Sequence, residues 1–165
     1  MIGFFGGSFD PIHFGHLTLA IDMLETYKLE KILFCPAFCS PFKSENPPKT
    51  SPEHRLTMLQ LALDHPQFEI LTLELDRKGS SYTIDTIREL QIKGLRLILS
   101  EDVAEDLEQW KEAEELIRLA PPLIGPRTFI SSTLIRDRLK KNLYCKHLIP
   151  AKVLEYIEKH QLYRA

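Results

Sequence analysis

Basic charge is not in surplus in this chain: 21 lysines and arginines stand against 23 aspartates and glutamates, a formal charge of −2. No global field draws it to nucleic acid or to an anionic membrane, so any anion it binds is held by local groups. Long apolar runs are missing as well. The opening MIGFFGG reaches glycine within a few residues and carries no basic flank, which argues against a signal peptide and a membrane span and sets a cytoplasmic expectation. Cysteine is scarce and odd in number; Cys35, Cys39 and Cys145 favour reduced thiols over a disulfide framework. The C-x-x-x-C of Cys35 and Cys39 has no second Cys/His pair at finger-like spacing, so no metal-ligand set is assigned. Two familiar phosphate loops are absent too: there is no G-x-G-x-x-G and no terminal Gly-Lys-Ser/Thr, and Pro36 stands where a ribose-binding acid would end the second strand.

What is present suits one globular unit. The chain has 165 residues, 44% hydrophobic and 27% charged, enough for a real core and short for two domains. Apolar runs of strand length alternate with helical patterns. MIGFF precedes a helix over His16–Tyr27, then come a strand over Ile32–Pro36, a helix over Pro52–Leu63 capped by Ser51, and a strand over Phe68–Leu73. A helix over Thr83–Lys93 closed by Gly94, a strand over Leu95–Leu99, and a helix over Val103–Leu119 follow. APPLIGPR, Ala120–Arg127, has room for one short strand; Ser131 or Ser132 caps a helix through Lys140, and Pro150 opens a last helix to His160. Alternating strands and helices predict an α/β fold, a Rossmann-like doubly wound parallel sheet with a short C-terminal helical subdomain. The expected division is a single domain over 1–165, with a core over 1–128 and a helical part over 129–165.

The first strand-to-helix turn carries the chemistry. GGSFDPIHFGHL, Gly6 to Leu17, places two glycines, a proline and a His-x-Gly-His where ligands of a doubly wound sheet bind. Gly6 and Gly7 remove side-chain bulk and permit φ > 0, so that backbone N–H groups can reach a phosphate beside a helix N-terminus. His13 and His16, three apart, share one face of the helix's first turn. The competing reading is that one histidine caps the helix and the other packs.

GGSFDPIHFGHL resembles the first motif of the (H/T)-x-G-H nucleotidyltransferases, and ISSTLIR, Ile130–Arg136, resembles their second. PFK at Pro41–Lys43, SYTIDTI at Ser81–Ile87, and Asp102 eight residues before Trp110 narrow the resemblance to the bacterial nicotinate-nucleotide adenylyltransferases, over nearly the whole chain. It implies in-line attack of a mononucleotide phosphate on the α-phosphorus of ATP, with pyrophosphate leaving. By that resemblance His13 and His16 are the catalytic pair at the triphosphate. Gly6, Gly7, Ser8, Phe9 and Gly15 form the phosphate-binding turn, Lys43 closes over the phosphates, and Ser132, Thr133 and Arg136 bind the β- and γ-phosphates. For the nicotinate mononucleotide half it implies Tyr82 and Thr83 at the pyridine carboxylate, Trp110 stacked on the ring, and Asp102 on a ribose hydroxyl. Mg²⁺ is the implied cofactor, held mainly by ATP's own oxygens because no compact carboxylate cluster is present. ATP and nicotinate mononucleotide are the implied partners, without nucleic acid or membrane; family-typical homo-oligomerisation is implied by resemblance alone. Where the family has Gly-x-Asp after its fourth strand this chain has Ser100-Glu101-Asp102. The family's fifth strand falls in a shortened stretch, 111–129, so either PLIGPR serves as that strand or it is lost. Two other readings stay open: nicotinamide mononucleotide as acceptor, and a shortened, non-catalytic pyridine-nucleotide-binding protein.

Overall fold

A computed structural model describes residues 1–39 and 46–164. Five parallel strands run in the order β3-β2-β1-β4-β5: β1 Ile2–Gly7, β2 Lys31–Pro36, β3 Phe68–Ile70, β4 Leu95–Ser100 and β5 Pro122–Gly125. Between them lie α1 Phe14–Thr26, α2 Pro52–Ala62, α3 Leu73–Arg77, α4 Thr83–Leu90, α5 Glu101–Ala104 and α6 Ala113–Leu119, followed by α7 Ser132–Lys140 and α8 Ala151–Lys159.

Successive strand residues face opposite sides of the sheet, so unbroken apolar runs feed two cores. Phe5, Phe34, Ile98 and Leu123 pack with α1, α2, α7 and α8 on one side. Phe4, Leu33, Leu97 and Leu99 pack with α4 and α6 on the other. The doubly wound expectation and the short strand in APPLIGPR both hold. Ser51 caps α2 and Ser131 caps α7 as their positions before a helical pattern suggest, each hydroxyl accepting an N–H three residues on.

Three expected elements differ. The strand over Phe68–Leu73 stops at Ile70, and the chain turns into α3, which sinks Glu74 to 6% exposure. Glu74 accepts from Thr86 Oγ1 at 2.9 Å, and tertiary pairing of this kind overrides the alternating pattern of FEILTL. The helix over Thr83–Lys93 ends at Leu90, capped by Gln91 in the left-handed region (φ 49°), while Gly94 (φ 72°) makes a second left-handed turn just before β4. The long helix over Val103–Leu119 is broken into α5, a 3₁₀ turn over Leu107–Gln109 and α6, with Trp110 extended and Glu112 left-handed between them. That break lets Leu107 and Leu116 enter one core, with Trp110 half-buried against the same core and lining the groove. Among the described residues no helix is long and apolar enough to cross a membrane.

Candidate active site

Strand order reverses between β1 and β4, and in open α/β sheets the crevice beyond the carboxyl ends at that point is where ligands bind. Two adjoining cavities lie there, of about 530 and 480 Å³, and both are lined by Gly6, Gly7, Ser8, Asp102 and Trp110. They form one groove with two lobes.

The larger lobe holds His13, Gly15, His16, Ser132, Thr133 and Arg136. His13 is the N-cap of α1 and His16 its third residue, and each backbone N–H donates to the other's Nδ1, at 3.2 and 3.3 Å. The histidine capping that competed with function in the sequence is therefore real, and it accompanies the groove position. Because both Nδ1 atoms accept, a proton on either ring sits on Nε2, and that N–H is a donor. The rings stack with centroids 3.7 Å apart, and burial pulls His13 down to about 4, so it stays neutral at ordinary pH. Gly15 leaves room for this pair: a Cβ there would stand 2.8 Å from His13 Cε1.

Part of the expectation for the turn is corrected. Gly6 and Gly7 end β1 in extended backbone; the left-handed residue is Phe9 (φ 49°). The glycines serve by leaving space, since a Cβ on Gly6 would meet the Phe4 ring at 3.2 Å and one on Gly7 the Phe9 ring at 3.4 Å. Phe9 itself is 2% exposed, its ring edge-on to His16 and packed on Phe5 and Phe34, so its side chain is core and only its backbone can meet a phosphate.

Residues distant in sequence set the shape of this turn. Arg136 Nη1 donates to the Asp10 carbonyl at 2.9 Å, and Ser132 Oγ donates to the Pro11 carbonyl at 2.9 Å, so α7 is fastened to the cis Asp10–Pro11 peptide. Thr133 Oγ1 accepts from Arg136 Nη2 at 3.3 Å. The Asp10 carboxylate accepts from the Lys49 N–H and the Tyr163 hydroxyl, both at 2.7 Å. Arg55, fully buried on α2, donates to the carbonyls of Ser8 (2.8 Å), Ala37 (2.6 Å) and Phe38 (3.1 Å). Asp10, Arg55 and Tyr163 were not singled out in the sequence. Asp10 lies inside the motif, but an arginine on a helix and a tyrosine near the chain end carry no local signal of a shared contact.

The smaller lobe gathers Ser81, Tyr82, Thr83, Asp102, Trp110 and Lys111. Tyr82 and Thr83 lie at the start of α4, Asp102 is exposed on α5, and Trp110 closes the 3₁₀ turn. Ser100 ends β4 opposite Gly125 of β5, so PLIGPR does supply the fifth strand. Lys43 lies outside the described residues. All other sequence-singled residues line one lobe or both.

A doubly wound sheet with a two-lobed groove at its switch point, one lobe lined by histidines and arginine and the other by aromatics, defines a nucleotide-binding α/β protein. Comparison with known proteins is more specific. Residues 4–138 match the cytidylyltransferase-like family model. A probable nicotinate-nucleotide adenylyltransferase of Thermus thermophilus is 40% identical, over 99% of both chains. The relative of the same description in Oceanobacillus iheyensis is 36% identical over 98% of this chain and 96% of its own. The chain belongs to the cytidylyltransferase-like nucleotidyltransferases, among the nicotinate-nucleotide adenylyltransferases. Its fold is that of the Plasmodium falciparum nicotinic acid mononucleotide adenylyltransferase solved with NaAD (TM-score 0.74, 22% identity, 98% of this chain and 96% of that one). A Vibrio parahaemolyticus putative nicotinate-nucleotide adenylyltransferase shares it too (TM-score 0.77, 20% identity, 99% and 94% covered).

Proposed function

We propose that the protein transfers the adenylyl group of ATP to nicotinate mononucleotide, giving nicotinate adenine dinucleotide and pyrophosphate, as one nucleotidyltransferase domain acting in the cytoplasm. The observation that carries this reading is the shared wall of the two lobes: Gly6, Gly7 and Ser8 line both, so a phosphate held against them has an aromatic lobe on one side and the His13–His16–Arg136 lobe on the other. The names of the 36–40% identical relatives support it.

A phosphate oxygen of the acceptor attacks the α-phosphorus; the bond to the β-phosphate oxygen breaks and its electron pair leaves with pyrophosphate. A phosphate is already a nucleophile, so the protein supplies position and charge. His16 and His13, as Nε2 donors, stabilise charge on the α-phosphoryl oxygens. Arg136, with the first-turn N–H groups of α7 around Ser132 and Thr133, holds the β- and γ-phosphates. The backbone from Gly6 to Phe9 receives the acceptor phosphate. Trp110 stacks on the pyridine, Asp102 bonds the ribose, and the Thr83 N–H beside Tyr82 meets the ring carboxylate.

Among the described residues no three His, Cys, Asp or Glu side chains cluster, and the Asp10 carboxylate is already engaged by Tyr163 and Lys49. That donor set suits a metal that arrives on the nucleotide, so Mg²⁺ enters as part of the MgATP substrate, held by phosphate oxygens and water.

The test is pyrophosphate release by the purified protein with Mg²⁺, ATP and nicotinate mononucleotide, beside His16→Ala. Turnover abolished in the variant while its melting temperature is kept is expected; undiminished turnover in His16→Ala would overturn the assignment.

A further inference from the structure

Outside the groove, α2 and α8 pack together, and two histidines meet a tyrosine on that joint. His54 lies in the first turn of α2, three residues after its cap Ser51, and His160 is the C-cap of α8, one turn after Tyr156. His54 Nδ1 and the Tyr156 hydroxyl stand 2.7 Å apart, across 102 positions of sequence. The ring centroids are 5.7 Å apart for His54–Tyr156, 4.2 Å for Tyr156–His160 and 5.3 Å for His54–His160. His54 and Tyr156 are half-buried and His160 is exposed, so the cluster opens to solvent. None of the three lines either lobe of the groove.

Two imidazoles at this spacing have a chemical use. A zinc–nitrogen bond of about 2.0–2.1 Å puts the ring centre about 3.2 Å from the ion, so two rings on one tetrahedral ion have centres about 5.2 Å apart. The His54–His160 separation of 5.3 Å, with the rings inclined at 53°, suits that arrangement. Among the described residues, neither His54 Nε2 nor the His160 ring makes a hydrogen bond. An ion on His54 Nε2 leaves the proton on Nδ1, which then donates to the Tyr156 oxygen; ligating histidines are commonly oriented by such a bond. No third His, Cys, Asp or Glu joins the pair among the described residues, so water completes the coordination. Imidazole nitrogens favour zinc, nickel or copper over the Mg²⁺ that arrives on the nucleotide.

We propose that His54 and His160 form a surface site for one divalent transition-metal ion of the Zn²⁺ class, which ties α2 to α8. The site stands behind the phosphate turn. His54 is followed directly by Arg55, which holds the Ser8 and Ala37 carbonyls, and His160 comes three residues before Tyr163, which holds Asp10. An ion across the joint therefore braces the two elements that fix that turn. Its ligands lie at opposite ends of the chain and meet only on folding, so the ion binds the native state and raises its stability by mass action.

The experiment titrates the full chain, stripped of metal, with Zn²⁺ alone against a chromophoric chelator and follows the melting temperature, for wild type, His54→Gln, His160→Gln and Tyr156→Phe. Zinc taken up at His13, His16 or the thiols is common to all four proteins and cancels in the comparison. Wild type is expected to bind one equivalent more than either glutamine variant, and to gain melting temperature with Zn²⁺ that those variants do not. His160 is an exposed cap, so His160→Gln keeps the fold and the comparison stands even where His54→Gln does not. Tyr156→Phe keeps both ligands and loses the orienting bond, so it should retain the equivalent with affinity lowered about tenfold, a change that a packing role alone would not produce. Equal zinc uptake and equal thermal gain in wild type and His160→Gln would overturn the proposal, and so would loss of the equivalent in His54→Gln alone.

Discussion

Tyr163, one turn from the end of the chain, donates its phenolic hydrogen to Asp10 Oδ1 at 2.7 Å, across 153 positions of sequence. Both residues are buried, and the backbone carbonyl of the same Asp10 holds Arg136 at 2.9 Å. The C-terminus is thus fastened to the turn that aims the arginine. Burial beside the Asp10 carboxylate pushes the Tyr163 hydroxyl up, so it remains a donor throughout the working pH range. Tyr163→Phe removes a hydrogen bond to a charged acceptor and is expected to cost about 2 kcal/mol of stability in urea unfolding. It should also lower kcat, because Asp10 is freed to rotate and Arg136 follows; full activity in the variant would show the latch to be structural alone.

Gly15→Ala tests the histidine pair without touching a histidine. Its Cβ would press on the His13 ring from 2.8 Å, and His13 cannot move without disturbing His16 stacked 3.7 Å away. Turnover is expected to fall at least about tenfold, as displacement of positioned groups does. Alanine's better helix propensity offsets part of the strain, so the loss of melting temperature should be small by comparison.

Stability should fall with acid in a manner set by His13. Its ordinary value is 6.5 and burial lowers it to about 4 in the folded protein, so the unfolded chain binds the proton more tightly between those limits. The contribution is therefore fully present above pH 6.5 and is lost as pH falls toward 4, amounting to about 3 kcal/mol in all. His13→Asn keeps a capping oxygen and removes the titration. The difference between its unfolding free energy and that of wild type, followed from pH 7 to pH 4, should shrink or change sign by about that amount; a flat difference would contradict the assignment.

Arg55 is a fully buried guanidinium shared among three carbonyls, those of Ser8, Ala37 and Phe38. Lysine keeps the charge but cannot present the same planar fork. Arg55→Lys is expected to destabilise by roughly 3 kcal/mol, as breaking a buried charged network does. Faster amide exchange around Ser8–Asp10 and Ala37 would locate the damage at the phosphate turn.

Much of this molecule could be read without coordinates. Short apolar runs such as ILFC and LILS are strands because only a strand buried on both faces needs no polar side. Ser51 and Ser131 announce helix starts because their hydroxyls replace missing backbone partners. The motif residues His13, His16, Ser132 and Arg136 were visible because each sits in a short pattern. The broken helix before α6 was not visible, since apolar spacing continues across the break; what ends it is the burial of Leu107 and Leu116 in one core, against which Trp110 packs at the edge of the groove.

Local pattern, then, determined the order and type of most elements and the identity of the phosphate turn, because helix caps, strand runs and turn residues act over a few positions. Which distant groups meet that turn was decided only in three dimensions. Asp10 with Tyr163, Arg55 with Ser8, and Ser132 with Pro11 are joined by hydrogen bonds across 153, 47 and 121 positions. No local propensity encodes such pairs; they form because the parallel sheet brings the carboxyl ends of its strands to one edge, where buried polar groups must find partners among whatever the fold delivers.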